Sequence, residues 1–211
     1  MISTRKKPRR TPSRRGDGDS LRAEILAAAS EMLGETGNVD EVSLRGVARR
    51  VGVTPTSIYL HFADRDELHR AVRELRFEEF SETVVAAARQ AGDDPAARLR
   101  AMGHAYVAYG LENPGHYRVF FVANLTPVPG RSVTGSYAQR AIALITAEIG
   151  NYLGLPVDDP NTVMLAMHLW SAVHGMVALR LAKVDGSGDP WPEVHEQIDN
   201  LADLLLPVRD A

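Results

Sequence analysis

Apolar residues recur at helical spacing in every long segment of the chain. Leu21, Ile25, Ala28, Ala29, Met32 and Leu33 form one stripe, and Leu68, Val72, Leu75, Phe80, Val84, Val85 and Ala88 form another. Nowhere do apolar and polar residues alternate long enough to make a strand. Proline supplies the punctuation. Thr54-Pro55, Asp94-Pro95, Asn113-Pro114, Asp159-Pro160 and Asp189-Pro190 each put a capping residue before a ring that suits the first helical position. Asp64, with Glu67 three residues on, reads as a capping box. Together these signals predict helices over 20–36, 43–50, 55–61, 65–91, 95–112, 114–123, 132–153, 160–184 and 191–206, an all-α protein of about nine helices.

The densest information lies in residues 43–62. Val47, Val51, Val53, Ile58 and Phe62 are spaced to form the buried side of two short helices joined by a tight turn. Ala48 is small enough for a close helix crossing, and Gly52 can adopt the positive φ that such a turn needs. Thr54 and Pro55 open the second helix. Its outer face then carries Thr56, Ser57, Tyr59 and His61, short or polar groups suited to base edges and phosphates in a major groove. An ordinary αα-hairpin inside a helical core would satisfy the same apolar pattern, so charge has to discriminate.

It does so clearly. The first fifteen residues hold Arg5, Lys6, Lys7, Arg9, Arg10, Arg14 and Arg15 and no acid, whereas the whole chain sums to −3. A segment of +7 in a chain of −3 leaves −10 for residues 16–211. A basic arm on an acidic body is the asymmetry of a protein that touches nucleic acid at one end. The arm (1–19) is too polar to fold alone, and it has no apolar core of the kind a secretory signal carries. With 211 residues, 45% of them apolar, the rest can bury a real core. There is no cysteine, hence no disulfide framework. The most apolar window, Val163–Leu181, is interrupted by His168, Ser171, His174 and Arg180, so no membrane association and a cytoplasmic location are expected.

The pattern Leu44-Arg45-x-Val47-Ala48-x-x-Val51-Gly52-Val53-Thr54-x-x-x-Ile58-Tyr59-x-His61-Phe62, followed by Asp64-Arg65-Asp66-Glu67-Leu68, resembles the TetR family of bacterial transcriptional regulators. The match spans roughly residues 20–70. Beyond it, Trp170-x-x-x-His174-Gly175 is similar to the C-terminal domain type named for its Trp, His and Gly. The resemblance implies a DNA-binding domain over 20–66 and a ligand-binding and dimerisation domain over 67–211. It also implies a homodimer on a palindromic double-stranded operator, most often a repressor, released by a small molecule. Carried over position by position, Arg45 reaches a base edge, Pro55, Thr56 and Ser57 lead the recognition helix, and Tyr59 and His61 bond backbone phosphates. Ser43 and Thr54 offer hydroxyl and helix-start N–H groups to phosphates, and Arg65 stands where the family usually has Lys. Between Thr54 and Phe62 there is no Arg, Asn or Gln, so specificity is expected to rest on Arg45, Thr56 methyl contacts and DNA shape.

The second domain supplies ligand and partner surfaces. Tyr106 and Tyr109 lie on adjacent turns of the fifth helix, Tyr117, Phe120 and Phe121 follow on the sixth, and His168, Trp170 and His174 stand in an oily stretch. These are candidate pocket residues, with plain core as the alternative. Trp191, Val194, Ile198, Leu201 and Leu205, at spacings of three and four, read as a seam against a partner helix, and Gly175 would let another backbone approach. No His-Glu-x-x-His, phosphate loop, dinucleotide loop or Gly-x-Ser-x-Gly is present, so no enzyme, cofactor or metal is expected. Two further readings stay open: a DNA-binding regulator that needs no ligand, and a helical small-molecule sensor or carrier.

Overall fold

Local chemistry sets the helix starts. The computed structural model describes residues 17–122, 137–182 and 192–206, and among these residues every regular element is helical, with no strand. The helices are α1 (Asp17–Thr36), α2 (Leu44–Val51), α3 (Pro55–Tyr59), α4 (Arg65–Gln90), α5 (Pro95–Glu112), α6 (Pro114–Tyr117), α7 (Tyr137–Leu153), α8 (Pro160–Leu181) and α9 (Val194–Leu205). Asp94 accepts from the amides of Ala96 and Ala97, and Asp159 from that of Asn161. Asp64 accepts from Glu67 N at 2.7 Å, while the Glu67 carboxylate reaches back to Ala63 N at 2.6 Å, closing the box one residue early.

Three local expectations are corrected. α1 begins at Asp17, inside the segment expected to be disordered, and Asp19 in its first turn complements the positive end of the helix dipole. Asn113 does not cap α6; its side-chain amide donates back to the Tyr109 carbonyl (3.1 Å). The sixth helix is α-helical only to Tyr117 and then widens into a π-helical turn over Arg118–Val122. That widening lets Val119, Phe120 and Phe121 all lie buried in succession. The basic arm up to residue 16, the Asp189-Pro190 start signal and Trp191 lie outside the described residues.

The chain divides into two compact units between Arg76 and Phe77, inside α4 rather than at the expected 66/67. The first turns of α4 belong to the first unit because Leu68 and Val72 are core residues there. His69 Nε2–H also donates to the Val42 carbonyl at 2.8 Å, and Arg76 Nε donates to the buried Ser30 hydroxyl. Ile25, Ala29, Leu33, Val47, Ile58 and Phe62 complete that core. Val51 and Val53, expected inside, are only half-buried, and Leu75 is exposed. Gly46 makes the close approach between α2 and α1, since a Cβ there would stand 3.1 Å from Met32 Cε.

In the second unit α5 is the central helix. A Cβ at Gly110 would meet Val177 Cγ1 of α8 at 2.8 Å, and one at Gly103 would meet Ile198 Cγ2 of α9 at 3.2 Å. Only glycine permits both crossings without displacement. Arg98 pairs with Glu148 of α7, and Arg100 with Asp199 (3.2 Å) and Asp203 (2.7 Å) of α9. The core runs from Phe77, Phe80 and Val84 through Met102, Tyr106 and Val107 to Val173 and Val177.

Candidate nucleic-acid interface and ligand pocket

The turn between α2 and α3 is built as its residues require. Gly52 has φ +85°, a left-handed conformation that carries a steep penalty for a residue with a Cβ. Ser43 caps α2 by accepting from Gly46 N (3.1 Å), and Thr54 caps α3 by accepting from Ser57 N (3.3 Å). The Thr54 and Ser57 hydroxyls also share a hydrogen bond of 2.9 Å, so α3 holds these two side chains in place. Ile58 turns fully inward and anchors the helix.

What faces outward is a short, mostly uncharged surface. Arg45, Pro55 and Thr56 are exposed, Tyr59 is 57% exposed, and Ser57 and His61 are half-buried. Leu60 is the most exposed large apolar side chain of the motif at 80%. An apolar residue held in water at the tip of such a helix suits a thymine methyl group. Arg45 and Arg49 have no ion-pair partner among the described residues. Arg50 does: its guanidinium grips both oxygens of Glu35 (2.9 and 2.8 Å), and the hydrogen bonds hold the Glu35 carboxyl below its usual range. Arg65 lies 3.4 Å from Asp40 in an exposed pair that a phosphate could exchange for.

The structure gathers some of the expected pocket residues and separates others. Tyr106, Tyr117, Phe121, Trp170 and His174 meet, with Tyr117 and Trp170 each 5.5 Å from the His174 ring and Phe121 5.1 Å from Tyr117. Tyr109 packs on Phe80 and Phe120 on Phe77, as parts of the same aromatic core. His168 is corrected. It is exposed on the outer face of α8, more than one and a half turns from His174, and takes no part in the cluster. Burial pushes the Tyr106 phenol well above its ordinary value, Tyr117 likewise, and pushes His174 down, so all three are neutral near pH 7.

Beside this cluster lies a cavity of about 40 Å³, lined by Phe80, Val84, Met102, Leu169 and Val173 among others. Of the residues expected to touch ligand, only Tyr106 lines it. The other walls are Phe80 and mostly aliphatic residues whose sequence signal is that of any core. Arg100 stands at the rim, already committed to Asp199 and Asp203. Among the described residues no group of His, Asp or Glu converges as metal ligands.

One residue of the expected partner seam is corrected. Ile198 is 3% exposed and packs against α5 of its own chain, so it has no surface to offer. Val194 and Leu201 are half-buried against the same core, and Leu205 is half-buried. The apolar residues left in water are Val163, Met164, Met167 and Leu179 of α8 and Leu204 of α9, the last 71% exposed. Gly175 sits among them, and a Cβ added there would meet nothing within 4 Å. α8 is apolar and long enough to cross a bilayer by composition, yet its residues split between this face and the core.

Comparison with known proteins agrees with this geometry. Residues 25–72 match the family described as bacterial regulatory proteins, tetR family, and residues 99–204 match the tetracyclin repressor-like C-terminal domain. An uncharacterized helix-turn-helix-type transcriptional regulator of Mycobacterium tuberculosis is 30% identical over 166 residues, covering 77% of this chain and 71% of the relative. A protein of unknown function from Rhodococcus sp. RHA1 superposes with a TM-score of 0.71 at 23% identity, over 95% of this chain and 97% of its own. AibR, solved with isovaleryl coenzyme A and operator DNA, superposes with a TM-score of 0.62 at 16% identity, over 88% and 98%. At these identities the two structures establish the fold alone.

Proposed function

Because the chain belongs to the TetR family of bacterial transcriptional regulators, we propose that it acts as a repressor, a homodimer that holds a palindromic operator and releases it when a small apolar or aromatic molecule enters the second unit. Its relatives are transcription regulators, not enzymes. The observation that carries the DNA reading is α3 itself: Ile58 is buried, Thr54 and Ser57 are fixed by the cap, and Thr56, Tyr59 and Leu60 are left in water. In this reading Arg45 reads a base, Thr56 and Leu60 meet methyl groups, and Tyr59, His61, Ser43, Thr54 and Arg65 hold phosphates. The working compartment is the cytoplasm, where operator DNA is found.

The dimer in this reading closes on the exposed apolar face of α8 and α9, around Gly175, Leu179 and Leu204. The switch runs along α4, which carries core residues of both units, Leu68 and Val72 in one and Phe80 and Val84 in the other. A ligand shifts the balance only as far as it binds the released form better than the DNA-bound form.

Selection of bound duplexes from a random pool tests the first part. The expected winner is a palindrome whose half-site centres lie a helical turn, about 34–36 Å, or a multiple of it apart. An unstructured, purely salt-dependent affinity with no preferred sequence overturns the reading. Mass spectrometry of small molecules that co-purify with the protein tests the second. A persistently empty protein whose operator affinity no cell extract alters leaves a ligand-independent regulator.

A further inference from the structure

The outward face of α3 has an apolar centre, and its placement decides what kind of base edge it can read. The helical register runs on past Tyr59: Leu60 keeps a right-handed backbone (φ −71°, ψ −18°), and the Phe62 amide donates to the Ile58 carbonyl at 3.0 Å. Ile58 and Phe62, both buried, therefore mark the inner side of one continuous turn. Leu60 is two residues from each of them, and at about 3.6 residues per turn it points roughly 160° away from both. Thr56, exposed and four residues earlier, stands beside it on the same face. Thr54 and Ser57 spend their hydroxyls on each other and on the cap. Thr56 contributes a methyl and a hydroxyl; Leu60 contributes no polar atom at all.

The second helix of a helix-turn-helix lies in the major groove, so α3 presents this apolar centre to base edges. Those edges are polar except at one point, the 5-methyl group of thymine. Pressed against a bare donor or acceptor, Leu60 strips its water and offers no hydrogen bond in return, which costs affinity. Pressed against a methyl group, both partners lose apolar surface from water, which gains it. The same side chain thus favours one group and penalises its absence.

We infer that Leu60 is a specificity-determining residue that reads the 5-methyl group of a pyrimidine in each half-site, and not the pyrimidine's hydrogen-bonding edge. Thymine and 5-methylcytosine carry that methyl at the same ring position, whereas uracil and cytosine lack it. A side chain with neither donor nor acceptor is blind to the exchange of a carbonyl for an amino group that separates thymine from cytosine. A half-site with cytosine at this step therefore becomes a stronger site once that cytosine is methylated, which links occupancy of the operator to DNA methylation. The inference rests on the operator-binding reading proposed above and deepens it, from a contact between Leu60 and a methyl group to a rule that ranks bases.

Anisotropy titration of the full chain with a duplex selected from a random pool tests this. Each thymine of a half-site is replaced in turn by uracil. The positions that respond are then filled with thymine, uracil, cytosine and 5-methylcytosine, each opposite its pairing partner. Removing the methyl should weaken binding about fourfold per half-site, the scale of one buried methyl-sized group. Cytosine should be as weak as uracil, and 5-methylcytosine should recover the affinity of thymine to within about twofold. At one such position Leu60→Ala should bind all four duplexes alike, whereas Leu60→Met, which keeps the apolar reach, should retain the order. Leu60 is exposed, so neither substitution disturbs the core. Ranking by pairing identity, thymine with uracil and cytosine with 5-methylcytosine, overturns the inference and leaves an operator-binding regulator that reads shape or hydrogen bonds there. Methyl responses that all survive in Leu60→Ala, or no thymine whose replacement weakens binding, overturn it in the same way. If the pool yields no preferred sequence, the operator reading and this inference fall together.

Discussion

Gly175 separates two descriptions of the outer face of α8. In the isolated subunit a Cβ at this position points into open space, within 4 Å of nothing. An alanine there should stabilise the subunit by about 0.8–1.0 kcal/mol, the helix-interior difference between Gly and Ala. For a chain of this size that raises Tm by roughly 2–4 °C. Leu at the same position gains most of that, and its Cβ meets nothing within 4 Å. The expectation reverses if a second copy closes on this face. Side-chain volume forced into a packed interface costs about 1–3 kcal/mol, and a twofold axis presents it twice, so Gly175→Leu should weaken the dimer by roughly 2 kcal/mol or more. That is at least about thirtyfold in dimer dissociation. Sedimentation velocity over a dilution series reads the dimer constant, and thermal unfolding at the most dilute point reads the subunit. A more stable subunit with a weaker dimer is the expected pair, and Leu204→Glu should break the dimer through the neighbouring helix. A Gly175→Leu protein whose dimer constant matches the parent would refute the placement of the interface.

Tyr59→Ala with His61→Ala should weaken binding to all duplexes alike, whereas Arg45→Ala should cost about 1–3 kcal/mol at one base pair per half-site, read by anisotropy on operator variants. The reverse assignment of uniform and selective losses would exchange their roles. Deleting residues 1–15 should flatten the dependence of log affinity on log salt by about 0.9 for each phosphate the arm neutralises, with the preferred sequence unaltered; an unchanged slope makes the arm inert. Burial holds His69 and His174 below the ordinary value of 6.5. The unfolded chain therefore binds more protons than the folded one as pH falls below about 6.5, and stability drops there, whereas it is fully present above that value. Urea midpoints at pH 7.5 and 5.5 should differ in that sense, and less so in His69→Gln; an unaltered difference would show that His69 does not carry its share. The lowered carboxyls, Glu148 beside Arg98 and Asp199 beside His104, act only at still lower pH.

What the linear order of residues determined here is whatever depends on neighbours a few positions apart. Ser43, Thr54, Asp64, Asp94 and Asp159 cap helices because the amides they bond are two or three residues away, and Gly52 turns the chain because its own φ must be positive. Asn113 shows the limit of that logic, since its amide had an equally local alternative in the Tyr109 carbonyl. Which side of a helix faces inward is not local. Along α9 the spacing of Val194, Ile198, Leu201 and Leu205 marks a stripe correctly, but Gly103 on α5, ninety-five residues before Ile198, admits that stripe into the chain's own core and leaves Leu204 outside. His168 and His174 look alike in sequence; Tyr117 on α6 takes one of them in and nothing reaches the other. The cavity was the least legible feature. Its walls are Val, Leu, Met and Phe chosen by the same transfer of apolar surface from water that selects every core residue, and a void forms only where packed helices fail to meet.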